Sequence, residues 1–265
     1  MSRPPDNESE RHHFPGPGTL DRAVRLVRFL RENCPWDAEQ TAESLIPHLL
    51  EETHEVVDAI RDGTPREVEG ELGDLLLNLA FQIVVAEESG TLDSASIYAR
   101  LEEKMIRRHP HLFGDGERQD WEALKAAERK GEGSILSGMA KGLDPLTKSY
   151  RIQERVAAVG FDWETYEGAL QKVDEELNEV RQAAESGDAD AVQEEVGDLL
   201  FAAVNLARLA GTHPTTALSR ANTKFQARFE RLEQIVRERD IRIESAGLEA
   251  LDALWNEVKR EEASR

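Results

Sequence analysis

The sequence is poor in cysteine, and Cys34 is the single one among 265 residues. One cysteine can form neither an intrachain disulfide nor a zinc cluster built from several thiolates, and this composition is typical of a reducing compartment. The sequence also lacks any run of about 18 apolar residues, so it predicts no membrane-spanning helix. These absences predict a cytoplasmic protein with no membrane partner.

Basic residues and strand-forming patterns are also scarce. The chain has 33 Lys and Arg against 53 Asp and Glu, a formal net charge of −20. A surface of this sign repels nucleic acid, and no dense basic run offsets it, so we expect no nucleic-acid partner. Alternating Val, Ile and Thr are nearly absent while helix-forming residues dominate, which predicts an all-α fold.

Changes in composition along the chain predict two domains. Residues 1–18 are polar and rich in proline and glycine, without the apolar core of a signal peptide, and predict a disordered lead-in. A glycine-rich stretch at 131–147 is the predicted linker. It separates an N-terminal domain at 19–130 from a C-terminal domain at 148–265, and the chain is long enough for each half to bury its own core.

Apolar residues at helical spacing, punctuated by glycine and proline, predict the helices of each domain. Breaks are predicted at Asn33–Asp37 and at Gly160–Trp163. The approximate predicted helices are Leu20–Arg31, Ser44–Arg61, Pro65–Glu88, Ala95–Arg108, Ser149–Val159, Tyr166–Ser186, Asp190–Leu209, Thr215–Arg239 and Leu248–Glu261.

The two halves contain an internal repeat. Aligning Glu51–Leu76 with Glu175–Leu200 without gaps gives 12 identities in 26 positions. Chance matching would give about two, so the repeat indicates a duplication and two similar helical bundles in tandem.

The repeated block carries carboxylates at a spacing that suits a metal site. Glu52 and Glu55 are three residues apart, as are Glu71 and Asp74, so each pair lies on one helix face. Two helices joined by a short turn at Gly63 can bring the four acids together. Their mutual repulsion is relieved by a hard divalent cation such as Mg²⁺, which prefers oxygen ligands. The equivalent acids of the second half are Glu176, Glu179, Glu195 and Asp198.

A single pair of acids at this spacing is usually an ordinary charged helix surface, but the repetition favours a metal site. Apolar runs follow each set, at Leu75–Leu77 and Leu199–Phe201, and predict that Asp74 and Asp198 border a buried core. The glycines before these aspartates, Gly73 and Gly197, are costly inside helices, which predicts close helix approach there.

Basic and aromatic residues follow each acidic block. Members of each Lys–Arg pair are four residues apart and share a helix face, and a tryptophan and a second lysine follow. Beside a metal site in an acidic protein, these residues predict phosphate and nucleotide contacts. The two sets are Lys104, Arg108, Trp121 and Lys125 in the first half, and Lys224, Arg228, Trp255 and Lys259 in the second.

The acids follow the pattern EE-x₂-E and then E-x₂-D. The sequence also contains CPWD-x₂-QT at Cys34–Thr41, ELGDLL at Glu71–Leu76, RRHPHLFGD at Arg107–Asp115 and VGFDW at Val159–Trp163. The first pattern resembles the general signature of the all-α nucleoside triphosphate pyrophosphohydrolases, and the other motifs resemble specifically those of the MazG family. The resemblance covers about Leu20 to Lys259, in the tandem arrangement of the family.

The resemblance implies hydrolysis of NTPs and dNTPs to monophosphate and pyrophosphate, with Mg²⁺ as cofactor, Mn²⁺ as a substitute, and a broad base range. It implies a role in clearing noncanonical or surplus nucleotides, and a homodimer that completes the helical bundles and the sites. The metal ligands of the second half fall on the four acids above. Its nucleotide contacts fall on the second basic set together with Lys172, and Glu175 is our prediction for the residue that orients the attacking water.

Which half is catalytic is not fixed by the residues, because the first half keeps all four acids and its basic set. We expect the second half to be catalytic and the first to be a second active site or chiefly structural.

Other functions are compatible with the residues. Glu51 and His54 match half of a ferritin-like di-iron motif, although Asn178 occupies the matching position in the second half. The residues are compatible, too, with a non-catalytic helical nucleotide-binding or interaction protein, and with a narrower dUTPase-like or phosphoribosyl-ATP pyrophosphatase.

Overall fold

The computed structural model describes residues 19–114, 117, 124–125 and 133–263. Over these residues the fold is all-α and contains no strand, which confirms the predicted fold class. The predicted lead-in at 1–18 and Trp121 lie outside the described residues. None of the helices described is both long and apolar enough to cross a membrane. The chain divides into two compact units, Met1–Gln119 and Asp120–Arg265, while the limits of the predicted linker stay a prediction.

The first unit is built on a hairpin of two helices, α3 and α4, with α1 packed on α4. Gly63 lies in the turn between these two helices. A Cβ at this position would lie 2.7 Å from the carbonyl oxygen of Ala59, which explains why the turn has glycine here. Thr64 begins α4 with a capping box, its side chain accepting from the Glu67 N–H. The helices are α1 (Thr19–Asn33), α2 (Pro35–Glu39), α3 (Ile46–Asp62), α4 (Pro65–Glu88), α5 (Ser94–Arg108) and α6 (Pro110–Phe113).

The hydrophobic core of the first unit lies between α1 and α4. It consists of six buried apolar side chains. Among them, Phe81 and Val84 of α4 are 4 % and 1 % exposed. The remaining members are Val24, Val27, Leu45 and Ala80. The break predicted at Asn33–Asp37 is only partly right, because Pro35 starts the five-residue helix α2 immediately after Cys34.

The second unit repeats the hairpin with α8 and α9, and α7 packs on α9. Gly187 ends α8 in the left-handed conformation, with φ of 75°, and Asp188 then caps the N-terminus of α9. The helices are α7 (Pro145–Ala157), α8 (Tyr166–Ser186), α9 (Ala189–Leu209), α10 (Pro214–Glu238) and α11 (Leu248–Ala263), with a 3₁₀ turn at Ile243–Ser245.

Helices α10 and α11 of the second unit enclose a separate core of five buried side chains. Trp255 packs against this core from α11. The core residues are Leu232, Ile235, Val236, Leu254 and Val258. The start of α7 is earlier than predicted, since Asp144 caps its N-terminus by accepting from the Thr147 N–H and Pro145 occupies the first turn.

Candidate functional site

The hairpin of the second unit brings three of the four predicted acids together. Glu176 and Glu179 lie one turn apart on α8, and Glu195 faces them from α9. One carboxylate oxygen from each lies within 4.8 Å of the others. Asp198 follows Glu195 by one turn on α9, as the helical spacing predicts.

Burial and charge give this group the character of a cation site. Glu176 is 4 % exposed, and its Oε2 has no hydrogen-bond partner among the described residues. The pKa of Glu179 is raised by a hydrogen bond with Glu176, by burial, and by the negative charges of Glu176 and Glu195. Converging carboxylates with an unpartnered buried oxygen fit a hard divalent cation such as Mg²⁺ or Mn²⁺.

Lys172 supplies a fixed positive charge beside the carboxylates of the second unit. Its Nζ donates to Glu176 Oε1 at 2.6 Å and to Glu175 Oε1 at 3.0 Å. The hydrogen bond to Glu176, and to a smaller extent the one to Glu175, raises the pKa of Lys172, so the side chain stays charged at neutral pH. Glu175, predicted to orient a water, is exposed and lies in the same ion-pair network as the buried Glu176.

The first unit holds an equivalent group. Glu52 and Glu55 of α3 and Glu71 of α4 place one oxygen each within 4.8 Å of one another. The pKa of Glu52 is raised by burial and then by the charges of Asp74 and the nearby glutamates. Its Oε2 is also buried and has no hydrogen-bond partner within the described ranges. His54, the residue behind the di-iron hypothesis, is exposed and does not belong to this group.

The apolar runs after the acids are less buried than predicted. Leu200 and Phe201 are 55 % and 41 % exposed, and Asp74 and Asp198 are exposed rather than bordering a core. The reason is that α9 packs on α8 and α7 with only part of its surface, leaving another face of the helix open. A Cβ at Gly197 would meet no atom of the described residues within 4 Å, and the same holds at Gly73, so neither glycine serves close packing between the helices described.

A cavity of about 670 Å³ adjoins the carboxylates of the second unit. It lies between α7, α8 and α9 and the segment at 160–163, and its walls are mainly apolar. Lys172, Glu176 and Asp198 belong both to this wall and to the acidic site. The remaining lining residues are Ile152, Gln153, Val156, Gly160, Phe161, Asp162, Trp163, Ala169, Phe201, Ala202, Asn205 and Arg208.

Two contacts hold the mouth of the cavity in place. Asp162 accepts from Arg208 through both carboxylate oxygens, with Nη1 to Oδ2 at 2.9 Å. Trp163 lies so close to α8 that a Cβ on Gly168 would be 2.4 Å from the indole Cδ1. Only glycine therefore fits at position 168 while the indole keeps this position.

Sequence reasoning named the acids but missed the cavity and its polar lining, Gln153, Asn205 and Arg208. One signal was available in the repeat. With the same register, Asn205 aligns with Phe81 and Arg208 with Val84, so polar residues replace apolar ones at positions that are core in the first unit. A polar exchange at a core position is typical of a functional cavity.

The predicted nucleotide contacts of the second unit gather on α10 and α11. Arg228 donates to Glu262 at 2.7 Å, and its guanidinium lies 6.0 Å from the ring centre of Trp255. Lys224 and Lys259 are exposed on the same two helices. None of these four residues lines the cavity beside Glu176, so they form a second group within the unit.

Lys104 and Arg108, the predicted Lys–Arg pair of the first half, lie on α5. Lys104 lines an open depression of about 790 Å³ with Arg100 and Arg107, and Arg108 ends the helix. Lys125 lies beyond α5, in the second of the two compact units, and Trp121 falls outside the described residues.

Comparison with known proteins identifies both repeats. The model of the MazG nucleotide pyrophosphohydrolase domain matches residues 40–113 and 164–232, which hold all eight predicted acids. The nucleoside triphosphate pyrophosphohydrolase of Escherichia coli K12 is 41 % identical over 257 residues, covering 92 % of this chain and 98 % of the relative. The nucleoside triphosphate pyrophosphohydrolase/pyrophosphatase MazG of Thermotoga maritima is 40 % identical over 246 residues, covering 91 % and 95 %.

Proposed function

Because the chain belongs to the MazG nucleotide pyrophosphohydrolase family, we propose that it hydrolyses nucleoside triphosphates to monophosphates and pyrophosphate. The observation that carries the proposal is the group of Glu176, Glu179 and Glu195, with its buried unpartnered oxygen, inside a segment that the family model matches. The names of the relatives from Escherichia coli and Thermotoga maritima support the same reaction.

Mg²⁺ is the proposed cofactor, with Mn²⁺ as a substitute. Glu176, Glu179, Glu195 and Asp198 would hold it in the second unit, and the equivalent acids would do so in the first. When bound, the ion supplies charge neutralisation on the phosphate oxygens and a more acidic water. Glu175 would orient the water that attacks the α-phosphorus.

Charged side chains from two groups of the second unit would bind the triphosphate. Lys172 Nζ donates to Glu176 and Glu175, and its third N–H can donate to a phosphate oxygen. Lys224, Arg228 and Lys259 are proposed to bind the phosphates, and Trp255 to pack against the nucleoside. For the first half of the sequence, the matching proposals are Lys104, Arg108, Trp121 and Lys125.

A homodimer is part of the proposal. The hairpin of the second unit exposes large apolar side chains on α8 and α9, including Leu177, Leu200 and Phe201. Covering such a face with a second copy would bury apolar surface and could bring α10 and α11 of one subunit near the acids of the other. We further propose a broad base range, housecleaning of nucleotide pools and a cytoplasmic location, as the composition and the family resemblance suggest.

The test is a pyrophosphate-release assay with the eight common NTPs and dNTPs, each with Mg²⁺, with Mn²⁺ and with a chelator. We expect release with most substrates, supported by either metal and abolished by the chelator. No release from any nucleotide would instead favour a non-catalytic nucleotide-binding protein. Release confined to dUTP or to phosphoribosyl-ATP, added as ninth and tenth substrates, would favour the narrower pyrophosphatases.

A further inference from the structure

The cavity of the second unit contains a hydrogen-bond acceptor that has no partner among the described residues. Gln153 is 3 % exposed, and its Nε2 donates to the carbonyl oxygen of Phe201 at 2.8 Å. This bond fixes the orientation of the amide, and its Oε1 is left buried with no partner in the part of the chain that the structure describes. Buried acceptors are rarely left unpaired, because they have lost their hydrogen bonds to water. Gln153 is therefore suited to accept an N–H from a ligand in the cavity.

A second amide in the same wall has its oxygen already occupied. Asn205 Oδ1 accepts from Arg208 Nε at 3.0 Å and from Arg208 Nη2 at 2.7 Å, and Asp162 holds Arg208 from its other side. With its oxygen committed, Asn205 offers its Nδ2 as donor. The wall thus combines one fixed acceptor and one fixed donor in an otherwise apolar space.

The remaining lining suits a flat heterocycle attached to an anion. Phe161 and Trp163 provide aromatic surface at the mouth, and stacking on such side chains accommodates any nucleobase. At the other side, Lys172, Glu176 and Asp198 connect the cavity with the candidate metal site. A ligand that fills this space carries a planar group with N–H donors at one end and metal-binding phosphates at the other.

The first unit lacks this arrangement at the equivalent positions of α4. Phe81 and Val84 there replace Asn205 and Arg208, and both are buried in the core against α1. The duplicated hairpin therefore keeps its acids in both units, while only the second unit has polar groups at these two positions.

We propose that the cavity binds the nucleobase of the triphosphate and that Gln153 Oε1 accepts an N–H from that base. The inference rests on the proposed function, since the phosphates are placed at the acids of the same unit. Every common base has an N–H at its pairing edge: the amino group of adenine or cytosine, or the ring N–H of guanine, uracil or thymine. A single acceptor therefore admits all of them and disfavours a base with no such donor.

The first experiment compares ATP with purine riboside triphosphate, which lacks the amino group. For the wild type we expect kcat/KM to be about tenfold higher with ATP, the size of one hydrogen bond to a neutral group. Gln153→Met should lower kcat/KM for ATP by about the same factor and leave the purine analogue within twofold, so the preference disappears. An unchanged preference would overturn the role of Gln153.

The matched control is Gln82→Met in the first unit. Gln82 Nε2 donates to the carbonyl oxygen of Ala42 at 3.1 Å, so the control also removes one glutamine-to-carbonyl hydrogen bond. We expect it to retain the wild-type preference for ATP. A control variant that lost the preference equally would show that the effect is general destabilisation, and would overturn the inference.

The second experiment fills the cavity with Ala202→Phe and uses ribose 5-triphosphate, which has no base. We expect kcat/KM for ATP to fall more than tenfold and that for ribose 5-triphosphate to change less than twofold. Calorimetric binding of a non-hydrolysable ATP analogue to wild type, Gln153→Met and Ala202→Phe gives a readout without turnover. If the analogue binds more weakly to both variants than to wild type, the base site is supported, even if no nucleotide is hydrolysed. If the wild type hydrolyses nucleotides but all three proteins bind the analogue equally, the base site is overturned while the proposed function stands.

Discussion

The two units share one hairpin and one set of acids but differ in what lies next to them. In the first unit, α4 presents Phe81 and Val84 to α1, and a compact apolar core results. In the second, α9 presents Asn205 and Arg208 at the same repeat positions, and a cavity lies beside the carboxylates.

The positive charge beside the acids differs as well. The repeat aligns Lys172 with His48, whose Nδ1 lies 3.9 Å from an oxygen of the exposed Glu51. Lys172 instead contacts the buried Glu176 at 2.6 Å. Duplication thus preserved the groups that suit a cation in both units, while the features suited to a nucleotide are concentrated in the second. The comparison explains why we expect unequal catalytic contributions from units whose acids match.

The largest expected effect tests whether the first unit depends on its packed core. Phe81→Ala removes a buried aromatic side chain and leaves a cavity, so we expect the free energy of unfolding to fall by about 3–5 kcal/mol. Asn205→Ala, at the aligned position of the second unit, should cost about 1 kcal/mol, since Arg208 keeps Asp162 as a partner. Urea unfolding of both variants measures the difference, and equal losses would contradict the contrast between core and cavity.

Removing one buried acid from each unit tests where catalysis occurs. Glu176→Gln replaces a proposed metal ligand without changing its size, and we expect pyrophosphate release to fall by about 100-fold or more. Glu52→Gln is the matched control and should retain more than half of the activity if the second unit is catalytic. Equal, partial losses in the two variants would show two working sites.

Lys172→Met tests the pairing that only the second unit has. Without the ammonium group, Glu176 keeps its burial but loses its ion-pair partner, so the metal-free protein should lose about 1–3 kcal/mol of stability. His48→Met at the aligned, exposed position should change stability by about 0.5 kcal/mol or less. Thermal unfolding in the presence of a chelator measures both, and an equal effect would indicate that the ion pair contributes no more than a surface contact.

The smallest effects are expected where the two units are alike. Thr64 and Asp188 occupy the same repeat position and cap α4 and α9 respectively. Replacing either with alanine should cost about 1 kcal/mol, because each leaves backbone N–H groups of the first turn without a partner. Urea midpoints give the comparison, and a difference of more than about 1 kcal/mol would show that the two hairpins are not energetically equivalent.

Local signals made most of the helices predictable. Thr64 and Pro65 define where α4 begins, Pro214 marks the start of α10, and Gly187 ends α8. Asp144 and Pro145 give the same signals for α7, but the predicted start at Ser149 was too late. The carboxylate groups were predictable for a related reason, since helical spacing fixes which acids share a face. Two of the three acids in each group come from a single helix. The third lies on the next helix, and the short turn between the two helices brings it close to the others.

The cavity could not be predicted in this way, because it depends on what α7 brings to α9. Gln153 reads as an ordinary polar residue in an amphipathic helix, and its burial follows only from tertiary packing. The exposure of Leu200 and Phe201 was missed for the same reason, since an apolar run does not reveal whether the same chain covers it. Prediction was therefore strongest within helices and weakest between them.

The contact between Gly168 and Trp163 limits how the second unit can be redesigned. Every substitution at position 168 adds at least one carbon where the indole already lies, so it displaces the mouth of the cavity. Attempts to broaden or narrow ligand selection by directed evolution should therefore find few tolerated changes there. The small side chains Ala169 and Ala202 line the same cavity, so larger residues at these positions are the changes to try for reducing its volume.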